Sequence, residues 1–315
     1  MSSLKNYLSL IKFSHTIFAM PFAMIGFFIG VIQQFQIQHG EFIGVTRNLQ
    51  TPQGQVLTQE DSIFTYLVIR LLVLVILCMI FARSAAMAFN RYLDRHFDSK
   101  NPRTAGREIP AGVIPPGKAL LFTIINCVLF IAATWLINPL CFFLSPVALA
   151  VVLGYSYTKR FTPLCHLILG VGLSLAPIGA YLAVTGEFAL LPILFSLAVV
   201  CWVSGFDIIY ALQDEEFDQK NKLYSIPAWL GKKNALRVSE LLHLVSASFV
   251  IYAGFNGGFG WWYWAGVLVF VVMLIYQHSL VKPTDLSRVN LAFMTANGIA
   301  SVVFAIFTIT DLFLR

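Results

Sequence analysis

AMAFNRYLDRHFD, residues 86–98, runs an apolar stretch directly into three polar residues at four-residue intervals, Asn90, Asp94 and Asp98. On an α-helix such residues rise about 6 Å per step and turn only about 40°, so the three share one face. The apolar stretch ahead of them begins near residue 62, longer than the roughly 20 residues that cross a bilayer core. A second stretch, DIIYALQDEEFD at 207–218, repeats the pattern: Tyr210, Asp214 and Asp218 fall on one face, with Asp207 about a turn earlier. Both copies lead into Lys-Asn (100–101 and 220–221), an internal repeat offset by 120 residues, and then into Ile-Pro (109–110 and 226–227), where the offset is 117.

Composition agrees that the solvent is lipid. Hydrophobic residues make up 58 % of the 315-residue chain and charged residues 11 %, against about 25 % charged in soluble proteins; mean hydropathy is +0.78. Apolar runs at 15–34, 62–92, 118–137, 139–158, 164–184, 190–211, 234–254, 261–280 and 289–312 predict nine membrane helices. The 118–158 stretch is split at Asn138-Pro139, where proline ends a helix. The expectation is an all-α integral membrane protein, residues 1–315 forming one domain around a central cavity. A polar, glutamine-rich outer loop at about 35–61 reads as a solvated connector. Lys5 and Lys12 precede the first apolar run without a cleavage-type site after it, so the run reads as a retained span.

Charge sets the orientation. Lys5, Lys12, Arg95, Lys100, Arg103, Arg107, Lys118, Lys159, Arg160, Lys220, Lys222, Lys232, Lys233, Arg237, Lys282 and Arg288 fall on one side, and Arg47 and Arg315 on the other. The positive-inside rule then makes the N-terminus cytoplasmic, in a membrane expected to be the bacterial inner membrane, with both acidic motifs at the cytoplasmic face. The net charge of +6 is accounted for by these short loops, which argues against nucleic acid as a partner. Cys78, Cys127, Cys141, Cys165 and Cys201 all lie in apolar runs without CxxC spacing and read as small hydrophobes. The six histidines lack ligand spacing, so zinc and haem are not indicated; His15 and His166 stand near helix ends on the charged side.

A carboxylate near the bilayer costs about 2.5–3.5 kcal/mol on insertion scales, so a cluster of them must face water, a partner or a metal. One DxxxD at a helix end decides little. Two matched copies point to opposed acidic faces holding Mg²⁺, which favours oxygen ligands shared with phosphate. Arg103, Arg107, Lys159 and Arg160 could cover the outer oxygens of a diphosphate.

These residues resemble the UbiA superfamily of membrane prenyltransferases, which has nine transmembrane helices and two aspartate-rich motifs. Asn90, Asp94 and Asp98 match its NxxxDxxxD, and Asp207, Tyr210, Asp214 and Asp218 match its DxxYxxxDxxxD; Gly154–Thr162 looks like its YxxTKR-type element. Ser225-Ile226-Pro227 with Leu230-Gly231-Lys232 looks most like the 4-hydroxybenzoate polyprenyltransferase branch. Lys12–Thr16, Arg103-Thr104 and Arg107–Pro110 are similar to its relative that prenylates 1,4-dihydroxy-6-naphthoate on a route to menaquinone.

The resemblance implies Mg²⁺-dependent transfer of a polyprenyl chain from its diphosphate to an aromatic acceptor in ubiquinone or menaquinone biosynthesis. Asn90, Asp94, Asp98, Asp214 and Asp218 would hold metal, Lys159, Arg103 and Tyr157 the diphosphate, and Arg160 the acceptor's carboxylate. Asp207 is open between orienting a metal, accepting a proton and a structural role. Membrane lipid surrounds the chain, and no obligate protein partner is expected. Haem farnesylation and cation-coupled transport are the alternatives; transport fits poorly, because the two motifs lie at one end of the bundle and the two halves run in the same direction.

Overall fold

The computed structural model describes residues 3–10, 18–39 and 59–314. His15 and most of the 35–61 loop lie outside these residues. Among those described the chain is helical, with one isolated two-residue bridge between Lys282 and Asp285. The helices are α1 (Ser3–Leu10), α2 (Met20–His39), α3 (Gln59–Asp98), α4 (Pro116–Ile137), α5 (Pro139–Thr158), α6 (Cys165–Thr185) and α7 (Leu190–Ala211). A 3₁₀ turn (Leu212–Asp214) leads to α8 (Glu215–Lys220), then α9 (Ile226–Asn256) and α10 (Trp261–Leu280). Last come α11 (Val289–Leu291), a π-helical turn (Ala292–Ala296) and α12 (Asn297–Leu314).

Among the described residues eight helical stretches are long and apolar enough to cross a membrane, and the apolar Met20–Phe35 part of α2 is a shorter helix beside them. The protein is an integral membrane protein. Several helices outrun their apolar cores. At 40 residues α3 is about 60 Å long, twice the roughly 30 Å of hydrocarbon, so its acidic last turns can stand clear of the apolar band. Ser225 caps a short helical turn that opens at Ile226 through Ala228 N–H (3.3 Å), and Gly231 (φ 75°, ψ 162°) breaks the helix between this turn and the long apolar part of α9.

Local chemistry explains the boundaries. Pro116 opens α4 at a position where no backbone donor is lost. Asn138 is extended (φ −160°) and separates α4 from α5 as a single residue. Its Oδ1 accepts from Cys141 N–H at 2.8 Å, and its Nδ2 donates to Leu182 O of α6, also at 2.8 Å.

In the bundle α6 lies against α2, α5 and α7; α7 lies against α9; α3 against α4 and α5; and α12 against α2 and α10. At two of the crossings a backbone carbonyl leaves room only for glycine. A Cβ on Gly26 would lie 2.0 Å from Pro177 O, and one on Gly170 would lie 2.5 Å from Val200 O and Ser204 Oγ. The second crossing draws the start of α6 close to the end of α7. An aromatic core that includes Phe22, Phe195, Trp202, Phe270 and Phe304 fills the space between α2, α7, α10 and α12. Large apolar side chains such as Val128, Phe143, Leu268 and Ile275 point outward instead, as lipid solvation allows.

Candidate active site

At the end of the bundle where α3, α5 and α7 finish and α6 begins lies a polar cavity of about 230 Å³. Asn90, Asp94 and Asp98 reach it from α3; Asp207, Tyr210, Asp214 and Asp218 reach it from α7, the 3₁₀ turn and α8. The two acidic faces therefore meet, and the 3₁₀ tightening at Leu212–Asp214, which the four-residue spacing does not foretell, leaves all four second-motif residues on the cavity. Asn90 Nδ2 donates to Asp94 Oδ2 at 3.1 Å.

The loop after α3 folds back over the cavity. Asn101 Oδ1 accepts Arg103 N–H (3.0 Å), and Thr104 Oγ1 donates to Asp98 O (3.1 Å). This turn sends Arg103 across to Asp214: Nε donates to Oδ1 at 3.0 Å and Nη2 to Oδ2 at 2.5 Å, a two-pronged contact. Asn101 Nδ2 adds a bond to Asp214 Oδ1 (3.1 Å), and Arg103 Nη1 donates to the Tyr210 hydroxyl (3.0 Å). Arg107 Nη1 lies 2.7 Å from Asp98 Oδ1.

Lys159, just past α5, places Nζ 2.8 Å from Asp218 Oδ1, and Ser225 Oγ donates to Asp218 Oδ2 at 2.9 Å. Arg160 Nη2 donates to Leu93 O (3.0 Å) and stands 3.5 Å from Asp94 Oδ1. Each of the four aspartates thus faces its own cation. Burial alone would weaken the charge on Lys159, but Asp218 and then Asp214 outweigh it and hold the ammonium above its ordinary pKa. Arg103 behaves alike: burial opposes its charge, and the Asp214 hydrogen bonds and carboxylate raise it.

The oxygen-rich donor set suits Mg²⁺, and Asp98 Oδ2 is buried without a hydrogen-bond donor. Among the described residues no three His, Cys, Asp or Glu side chains converge as a metal cage. The site therefore fits an ion that takes one or two carboxylates and completes its shell with water and phosphate.

Two of the residues expected at the site do not line the cavity. Tyr157 is half-exposed, its ring against Phe89 (5.9 Å) and under the Arg160 guanidinium (5.5 Å). Arg160 flanks the cavity through Asp94. Two features escaped the sequence reading. An apolar chamber of about 420 Å³ adjoins the polar cavity, with Tyr155 and Leu169 lining both, and Arg83 projects into its wall. The Arg83 Nε is buried without a partner among the described residues; an arginine inside the 62–92 apolar run was the available signal. His166, placed near the charged side by sequence, contacts Asp207.

The molecule is thus a helical membrane protein with a charge-paired polar cavity opening onto an apolar chamber, the form expected of an enzyme that joins a charged head to a lipid tail. The chain belongs to the UbiA prenyltransferase family, whose model matches residues 57–299, and it is a transferase. It is 34 % identical over 246 residues to a 4-hydroxybenzoate octaprenyltransferase of Nitrosomonas europaea, covering 77 % of this chain and 83 % of that one. It is 31 % identical over 222 residues to the enzyme of that description from Aeromonas salmonicida, covering 70 % and 76 %. The apo structure of a UbiA homolog from Aeropyrum pernix K1 superposes with a TM-score of 0.76 at 28 % identity, covering 94 % of this chain and 98 % of that one. A UbiA homolog from Archaeoglobus fulgidus bound to GPP and Mg²⁺ shares the fold at TM-score 0.66 and 20 % identity, covering 98 % and 99 %.

Proposed function

We propose that this protein transfers a polyprenyl group from its diphosphate to an aromatic acid, 4-hydroxybenzoate or 1,4-dihydroxy-6-naphthoate, for quinone biosynthesis. The observation that carries the reading is the junction of the two chambers: four aspartates and their cations on one side of Tyr155 and Leu169, apolar walls on the other. The 4-hydroxybenzoate octaprenyltransferase relatives support the aromatic acceptor and give no parallel support to haem or ion transport.

In this reading Asn90, Asp94, Asp98, Asp214 and Asp218 hold Mg²⁺. When bound, the metal neutralises diphosphate and improves it as a leaving group. Arg103, Arg107 and Lys159 then turn from carboxylate to diphosphate oxygens, a short exchange because both partners already line one cavity. The tail lies in the apolar chamber, whose walls keep water from the allylic cation. Tyr157 and Arg160 border the site. Arg83 is better placed than Arg160 to pair with the acceptor's carboxylate, since it is the cationic side chain on the apolar chamber's wall. Asp207, on the cavity wall, takes the proton that the ring loses.

We further propose a single membrane domain of nine spans with α2 as the first. The basic loops beside the site support a cytoplasmic side for the site and the N-terminus, by the positive-inside rule. Protein purified into lipid, given a polyprenyl diphosphate and each acceptor with and without Mg²⁺, tests the reading. Product from one acceptor, lost on adding EDTA, is expected; absence of product from both acceptors across a range of donor lengths overturns it.

A further inference from the structure

Between α6 and α7 a buried histidine supports the one acidic residue of the cavity that faces neither arginine nor lysine among the described residues. His166, 3 % exposed, sets Nδ1 2.6 Å from Asp207 Oδ2. The other ring nitrogen, Nε2, receives the N–H of Ile226 at 3.4 Å. Ile226 is the first residue of α9, whose N–H has no partner within the helix. Nδ1 is the ring nitrogen that faces the carboxylate and donates to Asp207.

The ring's position is fixed from several sides. Its own backbone carbonyl accepts from Ser204 Oγ at 3.1 Å, across the crossing that Gly170 permits. The preceding Ser225 holds Asp218, so the Ser225-Ile226 step ties His166 to the second acidic motif. Asp94, Asp98, Asp214 and Asp218 each face an arginine or lysine, whereas Asp207 faces the His166 ring. Its second oxygen, Oδ1, has no protein partner among the described residues, and the residue lines the cavity.

We infer that His166 is a positioning residue: it fixes the rotamer of Asp207 so that Oδ1 faces the acceptor ring and removes its proton. The inference rests on the prenyl-transfer reading and deepens it. In the step, the bond between the allylic carbon and diphosphate breaks with the electron pair leaving on diphosphate. A ring carbon of the acceptor forms the new C–C bond, its C–H bond breaks to restore aromaticity, and the proton goes to Asp207 Oδ1. A carboxylate held on both oxygens by arginine could not turn to the ring; a single N–H donor from His166 orients Asp207 through Oδ2 and leaves Oδ1 to the cavity.

The test compares wild type, His166→Phe and His166→Asn in lipid with Mg²⁺. Each receives the acceptor that wild type uses, carrying protium or deuterium at the ring position prenylated. Asparagine puts an amide N–H near the place of Nδ1 and restores the donor. The Phe variant is expected to lose roughly 10- to 100-fold in kcat, with KM for the prenyl diphosphate unchanged. It should also show a deuterium effect larger than that of wild type, and Asn should recover most of the rate. A full rate in Phe, a slow Phe variant without the larger isotope effect, or an Asn variant as slow as Phe each overturns the inference. Should wild type prenylate neither acceptor, the failure lies in the parent reading; an active wild type confines any failure to His166.

Discussion

Lys159 Nζ stands 2.8 Å from Oδ1 of Asp218, a carboxylate whose side chain has no exposure to solvent. The contact joins the end of α5 to the second acidic motif, and Tyr224 N–H reinforces it by donating to Lys159 O at 2.7 Å. The site folds with its charges already matched, so on the proposed reading substrate must replace one set of ion pairs with another.

Removing the lysine strands a buried charge. Lys159→Ala should lower stability by about 2–3 kcal/mol, less than the ~3–5 of a fully buried pair because Lys159 is 34 % exposed. Lys159→Met with Asp218→Asn should restore much of it. Thermal unfolding in detergent measures both.

The same pair has a pH signature. The ammonium's pKa is raised in the folded protein, so its stabilising contribution is complete below the unfolded value of about 10.4. It is lost as pH climbs through the raised folded value. Melting temperature should show no loss from this pair between pH 7 and about 10, and the alkaline fall should be absent in the double variant.

Because Asp94, Asp98, Asp214 and Asp218 each face a cation and no metal cage preexists among the described residues, Mg²⁺ alone should bind weakly. Mg²⁺ with inorganic diphosphate should stabilise the protein strongly, by about 2.7 kcal/mol at a hundredfold excess over Kd. Equal melting shifts from Mg²⁺ alone and from the pair would contradict this exchange of partners.

Asp94→Ala and Asp214→Ala should each reduce transfer by about 10²–10³-fold while membrane insertion is retained. Normal turnover in either variant would remove the metal assignment.

Arg83→Met should raise KM for the acceptor and cost about 1.5–3 kcal/mol in kcat/KM, the usual worth of a hydrogen bond to a charged group. KM for the prenyl diphosphate should stay as it was. Acceptor titrations at saturating donor measure the difference, and an unchanged acceptor KM would place the carboxylate elsewhere.

Much was legible along the chain because it depends on near neighbours. Apolar runs report on lipid solvation, and four-residue spacing puts Asn90, Asp94 and Asp98 on one face. Asn138-Pro139 breaks one long run into α4 and α5 at the expected residue. The first motif's helix runs past its apolar core to Asp98, as the four-residue spacing requires, whereas the short helical turn that precedes the break at Gly231 was less legible.

Only the tertiary structure assigned the partners. Arg103 meets Asp214 across 111 residues and His166 meets Asp207 across 41. Such pairs depend on where helices cross, which is set by contacts such as that of Gly170 with Val200 rather than by local periodicity. The sequence by itself determined the solvent, the helices and the identity of the acidic residues, because burial and helical pitch are written in adjacent residues. The fold decided which cation holds which acid, that Arg83 enters the apolar chamber and that Asp207 rests on a histidine, because those contacts exist only once distant helices have packed.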